Sequence, residues 1–373
     1  PFPKYSSASK TSVFCRCLIS VAIFVVAVAV INWRGKANVG GIRSIAILPI
    51  KVLGDTENDK LAGLGLTEAV ITKLGSIDQI IVRPVTSVAG FSESINDPAE
   101  FGRQLNVESV LTGTIQSSGA RLAVNIRLLK TETGEQIWTG TFNESESEIF
   151  AMQDSITAEI ARSLSLSLAN DDLLKQRYTQ NLDAYQAYLR GRLYFDKRTK
   201  DGYKEAISSF RLALSKDPNY AIAYSGLADV FSLQANSAGD IEIRNALYAQ
   251  AIDAAEKAIA IDPGIADPHV SLGWVRRTHE WNWSEAENQF KSAIELDANN
   301  VNALQWYALL LSNSGRHEEA IASIEKAKEI APITSIVWQN SATVYFNSRQ
   351  FDKALADLEK AGDVDAEYRL RMP

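Results

Sequence analysis

Residues 301–334 read VNALQWYALLLSNSGRHEEAIASIEKAKEIAPIT, and residues 335–366 read SIVWQNSATVYFNSRQFDKALADLEKAGDVDA. When the two stretches are aligned, Ala320 and Ala354 stand 34 positions apart, and the apolar residues around them recur. A fixed spacing of this length, with a small residue at one place, predicts a solenoid of helix–turn–helix units. Such arrays form extended binding surfaces, so the sequence indicates recognition rather than catalysis.

Five units of this kind follow one another in the second half of the chain. Each has bulky and small residues in its first half and two alanines around an aromatic or apolar residue in its second half. This arrangement identifies the units as tetratricopeptide repeats, in which alanines allow two helices to approach closely. The predicted units are 184–220, 221–265, 266–300, 301–334 and 335–366, and residues 171–183 form a connector before them.

Function in such an array is expected on the concave face, which the first helix of each unit forms. The aromatic and amide groups predicted there would suit an extended peptide or a helix of a partner protein. They lack the lysine- and arginine-rich set that clamps a C-terminal carboxylate. The alternative is that neighbouring units or the preceding domain cover this face. The predicted binding residues are Tyr188, Arg192, Phe195, Asp229, Trp274, Arg277, Asn302, Gln305, Gln339 and Thr343.

An uncharged apolar run near the start of the chain predicts a membrane anchor. Residues 17–31 read CLISVAIFVVAVAVI, and with their apolar neighbours they approach the ~20 residues that cross a bilayer. We expect a transmembrane helix over 12–33, a cytoplasmic remnant over 1–11 and a linker over 34–41. The alternative is a secretory signal peptide that is cleaved near Ala29.

Between the linker and the repeats, residues 42–170 predict a small α/β domain with a mixed sheet. Short apolar runs there indicate strands, and apolar residues at helical spacing indicate helices. Thr67 is expected to cap the first of these helices, ahead of Glu68. The predicted strands are 44–50, 80–85, 109–114, 121–129 and 136–142, the last three antiparallel, and the predicted helices are 66–74, 98–105 and 148–168.

Four blocks of this domain resemble a known family in their order and extent. The blocks are SIAILPI (44–50), GLGLTEAVITKL (63–74), SVLTGTIQSSGARLAVNIRLLKTETGEQIWTGTF (109–142) and EIFAMQDSITAEIARSL (148–164). They resemble the TolB-amino-terminal-like domain of bacterial membrane signalling proteins, which lies on the extracytoplasmic side of a single membrane span. The resemblance implies no catalytic residues. Relatives often read FADGLTEEL where this chain reads LAGLGLTEA, so an acidic residue is missing here.

The order of membrane span, α/β domain and repeats resembles the C-terminal part of bacterial one-component signalling proteins. The segments AYLRGRLYFDKRT (187–199) and EWNWSEAENQF (280–290) are similar to repeats of the CadC-type winged-helix regulators. Cyclase and kinase relatives share the same order of domains. The resemblance implies a bacterial inner-membrane sensor or scaffold with periplasmic α/β and repeat domains. We expect both ends of the chain to be truncated, and homo-oligomers are compatible with this architecture.

A second hypothesis is a periplasmic envelope-assembly scaffold with a signal peptide and no cytoplasmic output module. Composition argues against other classes. A net charge of −7 over 373 residues disfavours nucleic-acid binding, because phosphate neutralisation requires a basic face. The scattered histidines and two cysteines match no metal-site spacing, and Gly63-Leu64-Gly65 lacks the rest of a phosphate loop. We therefore predict no metal, cofactor or catalytic residues in this chain.

Overall fold

The computed structural model describes residues 42–54, 56–75, 77, 80–83, 97–118, 121–164 and 179–364. Within them, an α/β domain precedes an array of paired helices. The membrane span predicted over 12–33 lies outside the described residues, as do the segments 1–11 and 34–41. None of the helices in the described ranges is both long and apolar enough to cross a membrane.

A mixed sheet forms the centre of the α/β domain, as the sequence predicts. Its strands are β1 (Ser44–Ile47), β2 (Lys51–Val52), β3 (Ile81–Val82), β4 (Ser109–Ser118), β5 (Arg121–Lys130) and β6 (Gln136–Ser145). β1 pairs in parallel with β3 and β4, and β2 also pairs in parallel with β4. β4, β5 and β6 form the predicted antiparallel meander. Along β5, Leu122, Val124 and Ile126 alternate with less buried residues, so one face of the strand enters the core.

Among the described residues, this domain has one 3₁₀ helix (Glu146–Glu148) and three α-helices: α1 (Glu57–Gly75), α2 (Pro98–Gln104) and α3 (Ile149–Ser163). α2 begins where its sequence predicts, because Asp97 Oδ1 accepts a hydrogen bond from the Ala99 amide at 2.9 Å. The predicted start of the first helix at Thr67 is wrong, since α1 already begins at Glu57. Thr67 lies inside the helix, where its hydroxyl donates to the Gly63 carbonyl at 2.8 Å. The same oxygen accepts from the Ile50 amide at 3.1 Å, which ties α1 to the chain after β1.

In the described part of the chain, ten helices form the array as five consecutive pairs, which confirms the predicted solenoid of tetratricopeptide type. The first helices of the units are α4 (Leu182–Phe195), α6 (Ala221–Ser237), α8 (Ala266–Thr278), α10 (Val301–Asn313) and α12 (Ser335–Asn347). The second helices are α5 (Lys200–Lys216), α7 (Ile241–Ile261), α9 (Trp283–Leu296), α11 (His317–Ile330) and α13 (Phe351–Val364).

The two helices of a unit approach closely because small residues face large rings. A Cβ at Gly273 on α8 would lie 2.6 Å from the Phe290 ring on α9, a separation that side chains do not tolerate. Phe290 is fully buried, as are Ala286 and Ala293 on the same helix. The alanines and aromatics that reveal the repeat in the sequence are therefore core residues, which leaves other positions of the first helices for recognition.

Candidate protein-interaction groove

The first helices of consecutive units lie side by side, and the face they share is the candidate groove. Contacts between neighbouring first helices define it: Ser271 on α8 donates to Asp229 on α6 at 2.5 Å. Asn340 on α12 donates to Gln305 on α10 at 2.8 Å. All ten predicted binding residues lie on these helices, but the structure gives them different roles.

The α/β domain covers the groove at its first unit. The Tyr185 hydroxyl on α4 donates to the Gly65 carbonyl of α1 at 3.0 Å and accepts from Gln153 of α3 at 2.9 Å. A Cβ at Gly65 would lie 2.6 Å from both the Tyr185 hydroxyl and a methyl carbon of Leu189. Glycine is therefore required for α1 to pack this closely on α4. Gly65 is thus part of a helix–helix contact, whereas a Cβ at Gly63 would lie 2.7 Å from a methyl carbon of Val52 on β2.

Arg192 belongs to this covered part of the groove. Its Nε lies 3.6 Å from Glu68 Oε1 of α1. Burial raises the pKa of Glu68, and the charge of Arg192 opposes that shift. Burial also acts to lower the pKa of Arg192, but Tyr188 and several carboxylates, Glu68 first among them, outweigh it and raise the pKa. Arg192 and Glu68 therefore form a desolvated ion pair that joins the α/β domain to the first unit.

Phe195 lies in the core of the array, and Tyr188 is half-buried and packs against that core. The Tyr188 ring lies 5.8 Å from the Phe210 ring and 5.4 Å from the Tyr220 ring, between centroids. Phe195 is only 5% exposed and packs in the cluster that joins the first two units. The Phe195 side chain is therefore enclosed within the protein, whereas the Tyr188 side chain keeps a partly exposed surface.

Asp229 links the second and third units instead of facing a partner alone. Its carboxylate accepts the 2.5 Å hydrogen bond from the Ser271 hydroxyl. Burial, assisted by the negative charge of Asp267, raises the pKa of Asp229 to about 6, although Ser271, Arg192 and Arg198 act in the opposite direction. The protonation state of this carboxyl therefore changes within the mildly acidic range.

Trp274 and Arg277 form the uncovered part of the groove at the third unit. The Trp274 indole donates to Asn236 Oδ1 of α6 at 3.3 Å, and its ring centroid lies 4.6 Å from that of Trp306 on α10. The Arg277 guanidinium carbon lies 5.6 Å from the Trp274 centroid. Among the described residues, Arg277 has no side-chain hydrogen bond, and its buried Nε is unpartnered. Burial lowers the pKa of Arg277.

Amide side chains line the fourth and fifth units. Gln305 is 2% exposed, and it donates to the exposed Asn302 at 2.8 Å while it accepts from Asn340. Gln339 donates to the Ser335 hydroxyl at 3.0 Å. Thr343 is exposed and donates back to the Gln339 carbonyl at 3.1 Å. Of these residues, Asn302 and Thr343 are exposed to solvent.

A second contact with the α/β domain lies at the fourth unit. Arg83, just after β3, is 2% exposed. Its guanidinium donates to the carbonyls of Leu105 and Asn106 beyond α2, at 3.1 and 3.0 Å. It also donates to the carbonyl of Ile330 at 2.6 Å and to that of Glu329, at the end of α11. One cation thus satisfies terminal carbonyls of two helices, where helix dipoles favour positive charge.

Several residues of the groove are not marked by the repeat pattern. Asn236, Trp306 and Asn340 lie on first helices at places where the repeat predicts no binding residue. Glu68 and Arg83 belong to the other domain, and no local pattern connects them to the array. Within the part of the chain that the structure describes, no group of three His, Cys, Asp or Glu side chains could hold a metal ion. The arrangement is suited to hydrogen bonding, stacking and ion pairing with another chain.

Comparison with known families gives a match for each domain. The family described as "HilA/YgeH-like transcriptional regulator, second domain" matches residues 41–159. The family described as "Tetratricopeptide repeat" matches residues 290–322, from within α9 into α11. The second match agrees with the paired helices of the array.

Two curated proteins illustrate the range of relatives. "Putative adenylate cyclase 3" of Rhizobium meliloti is 28% identical over 248 residues, which cover 64% of this chain and 41% of that protein. "Anaphase-promoting complex subunit 3" of Schizosaccharomyces pombe is 24% identical over 159 residues, which cover 42% of this chain and 22% of that protein. The chain thus spans less than half the length of these relatives.

Solved structures with similarity to this chain are repeat proteins. YrrB, described as a TPR protein with an unusual peptide-binding site, is 24% identical, with a TM-score of 0.34 over 50% of this chain and 89% of YrrB. A protein of Thermus thermophilus, TTC0263, described as a thermophilic TPR protein, is 20% identical, with a TM-score of 0.39 over 53% of this chain and 96% of TTC0263.

Proposed function

We propose that this chain is a non-enzymatic scaffold that holds an extended segment of a partner protein in the groove between α6 and α12. The observation that carries the proposal is the uncovered third unit, where Trp274 and Arg277 lie between two neighbouring first helices. Rigid aromatic rings and arginine dominate the energetics of many protein interfaces. The exposed Asn302 and Thr343 extend the same face toward the last unit.

We further propose that the scaffold is the extracytoplasmic part of a bacterial membrane-anchored signalling or transcription-regulating protein. The match of residues 41–159 to a domain of HilA/YgeH-like transcriptional regulators supports this context. The cyclase-named relative, of which this chain spans 41%, supports a separate output module. In this scheme residues 12–33 cross the inner membrane, and the α/β and repeat domains are periplasmic. Partner binding would bias the output by stabilising one arrangement of these domains.

Site-specific crosslinking in the native organism tests the groove. A photoreactive amino acid replaces Asn302, which is exposed on the first helix α10, or Glu295, which is exposed on the second helix α9. We expect a discrete crosslinked partner from position 302 and none from position 295. Equal adducts from both positions, or none from either, would remove the groove from the proposal.

Membrane context is tested separately on the native polypeptide. Alkaline extraction of the membrane fraction should leave a protein with a spanning helix in the pellet, and a protease added to spheroplasts should digest the repeats. Release into the supernatant would instead favour the secreted assembly scaffold. Neither result depends on whether the groove binds a partner, so the two parts of the proposal can fail independently.

A further inference from the structure

The Arg277 guanidinium lies in the groove without a counter-ion among the described residues. It lies in the last turn of α8, and its Nε is buried without a hydrogen-bond partner among the described residues. A buried cationic donor that has lost water and gained no partner is unfavourable, and a charge-assisted hydrogen bond to an anion offsets that cost. Arg276, the preceding residue on the same helix, does have a counter-ion: it donates to both carboxylate oxygens of Glu280 at 2.6 Å.

The first unit differs not in the arginine Nε, which makes no hydrogen bond there either, but in the carboxylate that lies beside it. Arg192 occupies the groove face of α4, and Glu68 of the α/β domain brings a carboxylate to within 3.6 Å of its Nε. The α/β domain therefore supplies the carboxylate that pairs with the groove arginine of the first unit. At the third unit no described carboxylate forms an ion pair with Arg277, so a counter-ion there would have to come from another molecule.

Trp274 provides an aromatic surface beside Arg277. Its indole N–H donates to Asn236 Oδ1, and its ring lies against that of Trp306, so two contacts favour its orientation. Its partly exposed surface lies beside the Arg277 guanidinium, 5.6 Å from the ring centroid. Asn236 is exposed, and its amide N–H groups make no hydrogen bond within the described residues, so they can donate to a peptide carbonyl.

We propose that the third unit recognises an extended peptide with an aspartate or glutamate next to an apolar or aromatic side chain. The ligand carboxylate binds Arg277, the apolar side chain packs on Trp274, and Asn236 holds the peptide backbone between them. This assignment rests on the proposed function, because it names the ligand chemistry of that same groove. The protein itself carries a net charge of −7. Overall electrostatics therefore oppose an acidic ligand, and a preference for one must arise locally.

Fluorescence anisotropy with two matched peptide pools tests the assignment on the intact chain. Both pools are fluorescein-labelled decapeptides with Phe, Leu, Tyr or Trp before the central residue and random residues elsewhere. The central residue is Glu in one pool and Gln in the other. We expect the Glu pool to bind about tenfold more tightly, as one charge-assisted hydrogen bond allows.

Two neighbouring substitutions provide the matched variants. Arg277→Gln should abolish the preference for the Glu pool, whereas Arg276→Gln, which removes the same charge from the same helix, should keep it. Arg277→Met provides a second variant if the glutamine protein is poorly folded, as judged by circular dichroism. A Glu preference that survives in both Arg277 variants would overturn the assignment.

The remaining outcomes separate the assignment from the function on which it rests. Equal binding of the Glu and Gln pools by the unaltered chain would overturn the carboxylate assignment and leave peptide binding in the groove intact. Binding of neither pool at concentrations of protein near the solubility limit would overturn both. Inorganic phosphate at the buffer concentration should not compete, since the assignment requires the apolar neighbour as well as the anion.

Discussion

Arg192 and Arg277 lie on the same face of the array, and both have a buried Nε without a hydrogen bond, but they differ in the charges around them. Arg192 meets the carboxylate of Glu68 at 3.6 Å, whereas Arg277 forms no ion pair with any described residue. Burial acts to lower both pKa values, but at Arg192 the combined charges of Tyr188, Glu68, Asp196 and Asp229 outweigh burial and raise the pKa. The comparison separates a part of the groove that the protein fills itself from a part that it leaves uncovered.

Substitution of Arg83 is expected to give the largest effect, because it removes the far contact between the α/β domain and the array. Arg83→Met leaves four carbonyl oxygens without their donor. Hydrogen bonds to charged groups contribute about 1.5–3 kcal/mol each, so we expect a loss of at least about 3 kcal/mol in unfolding free energy. Urea unfolding monitored by tryptophan fluorescence measures it. The control Arg127→Met removes an exposed arginine of β5 and should change stability by under about 0.5 kcal/mol.

The comparison of the two groove arginines is tested directly by the pair Arg192→Met and Arg277→Met. Arg192→Met strands Glu68 in a desolvated site and should cost about 2–3 kcal/mol. Arg277→Met removes a half-buried cation that has no carboxylate partner, and it should be neutral or stabilising by up to about 1 kcal/mol. Urea midpoints of the two variants in the same buffer give the difference. Equal losses would mean that the two arginines have equivalent surroundings.

Asp229 gives a smaller effect that depends on pH. Its pKa is raised from 3.8 to about 6 on folding, mainly by burial. The folded protein therefore binds this proton more tightly, and stability is lost as pH rises from about 4 through about 6. Asp229→Asn should be more stable than the unaltered chain by about 2 kcal/mol at pH 7 and equal to it near pH 4. The charges of Asp267, Arg192 and Arg198 also act on the pKa of Asp229. The same pH series is therefore measured for variants of these three residues. A stability difference that does not depend on pH would contradict the raised pKa of Asp229.

The smallest effect is expected at Trp281, an aromatic residue outside the groove. It is 75% exposed in the turn before α9, with a φ of 55° that disfavours a bulky residue. Trp281→Gly should therefore be neutral or stabilising by up to about 1 kcal/mol, and it should leave peptide-pool binding unchanged. Trp274→Ala should weaken the same binding. If both substitutions weaken binding alike, the groove has no special role among the exposed aromatic residues.

The sequence predicts the array well because the contacts within a repeat are local. Ala286 and Phe290 are one helical turn apart and mark a buried helix face in the sequence alone. The repeat pattern does less well for side-chain direction in the first unit. Phe195 has a groove position in an ideal repeat, but in the structure it packs in the core between the first two units.

Contacts between the domains could not be predicted, because no periodicity spans them. Arg83 and Ile330 are 247 positions apart in the chain, and neither belongs to a recognisable motif. The start of α1 was also missed, since Gly63 and Gly65 inside it are unfavourable for a helix by propensity. Their purpose is visible only in three dimensions, where Gly65 allows Tyr185 and Leu189 to approach.

The position of Arg83 at the end of α11 has a mechanical consequence. In a solenoid of helix pairs, a small rotation of each unit against the next changes the pitch of the whole array. The α/β domain contacts the array at two units, through Glu68 at the first and Arg83 at the fourth. A change in this pitch would then either break one of the two contacts or displace β3 and the end of α2. We therefore expect a ligand that changes the pitch of the array between these two contacts to act on the sheet as well.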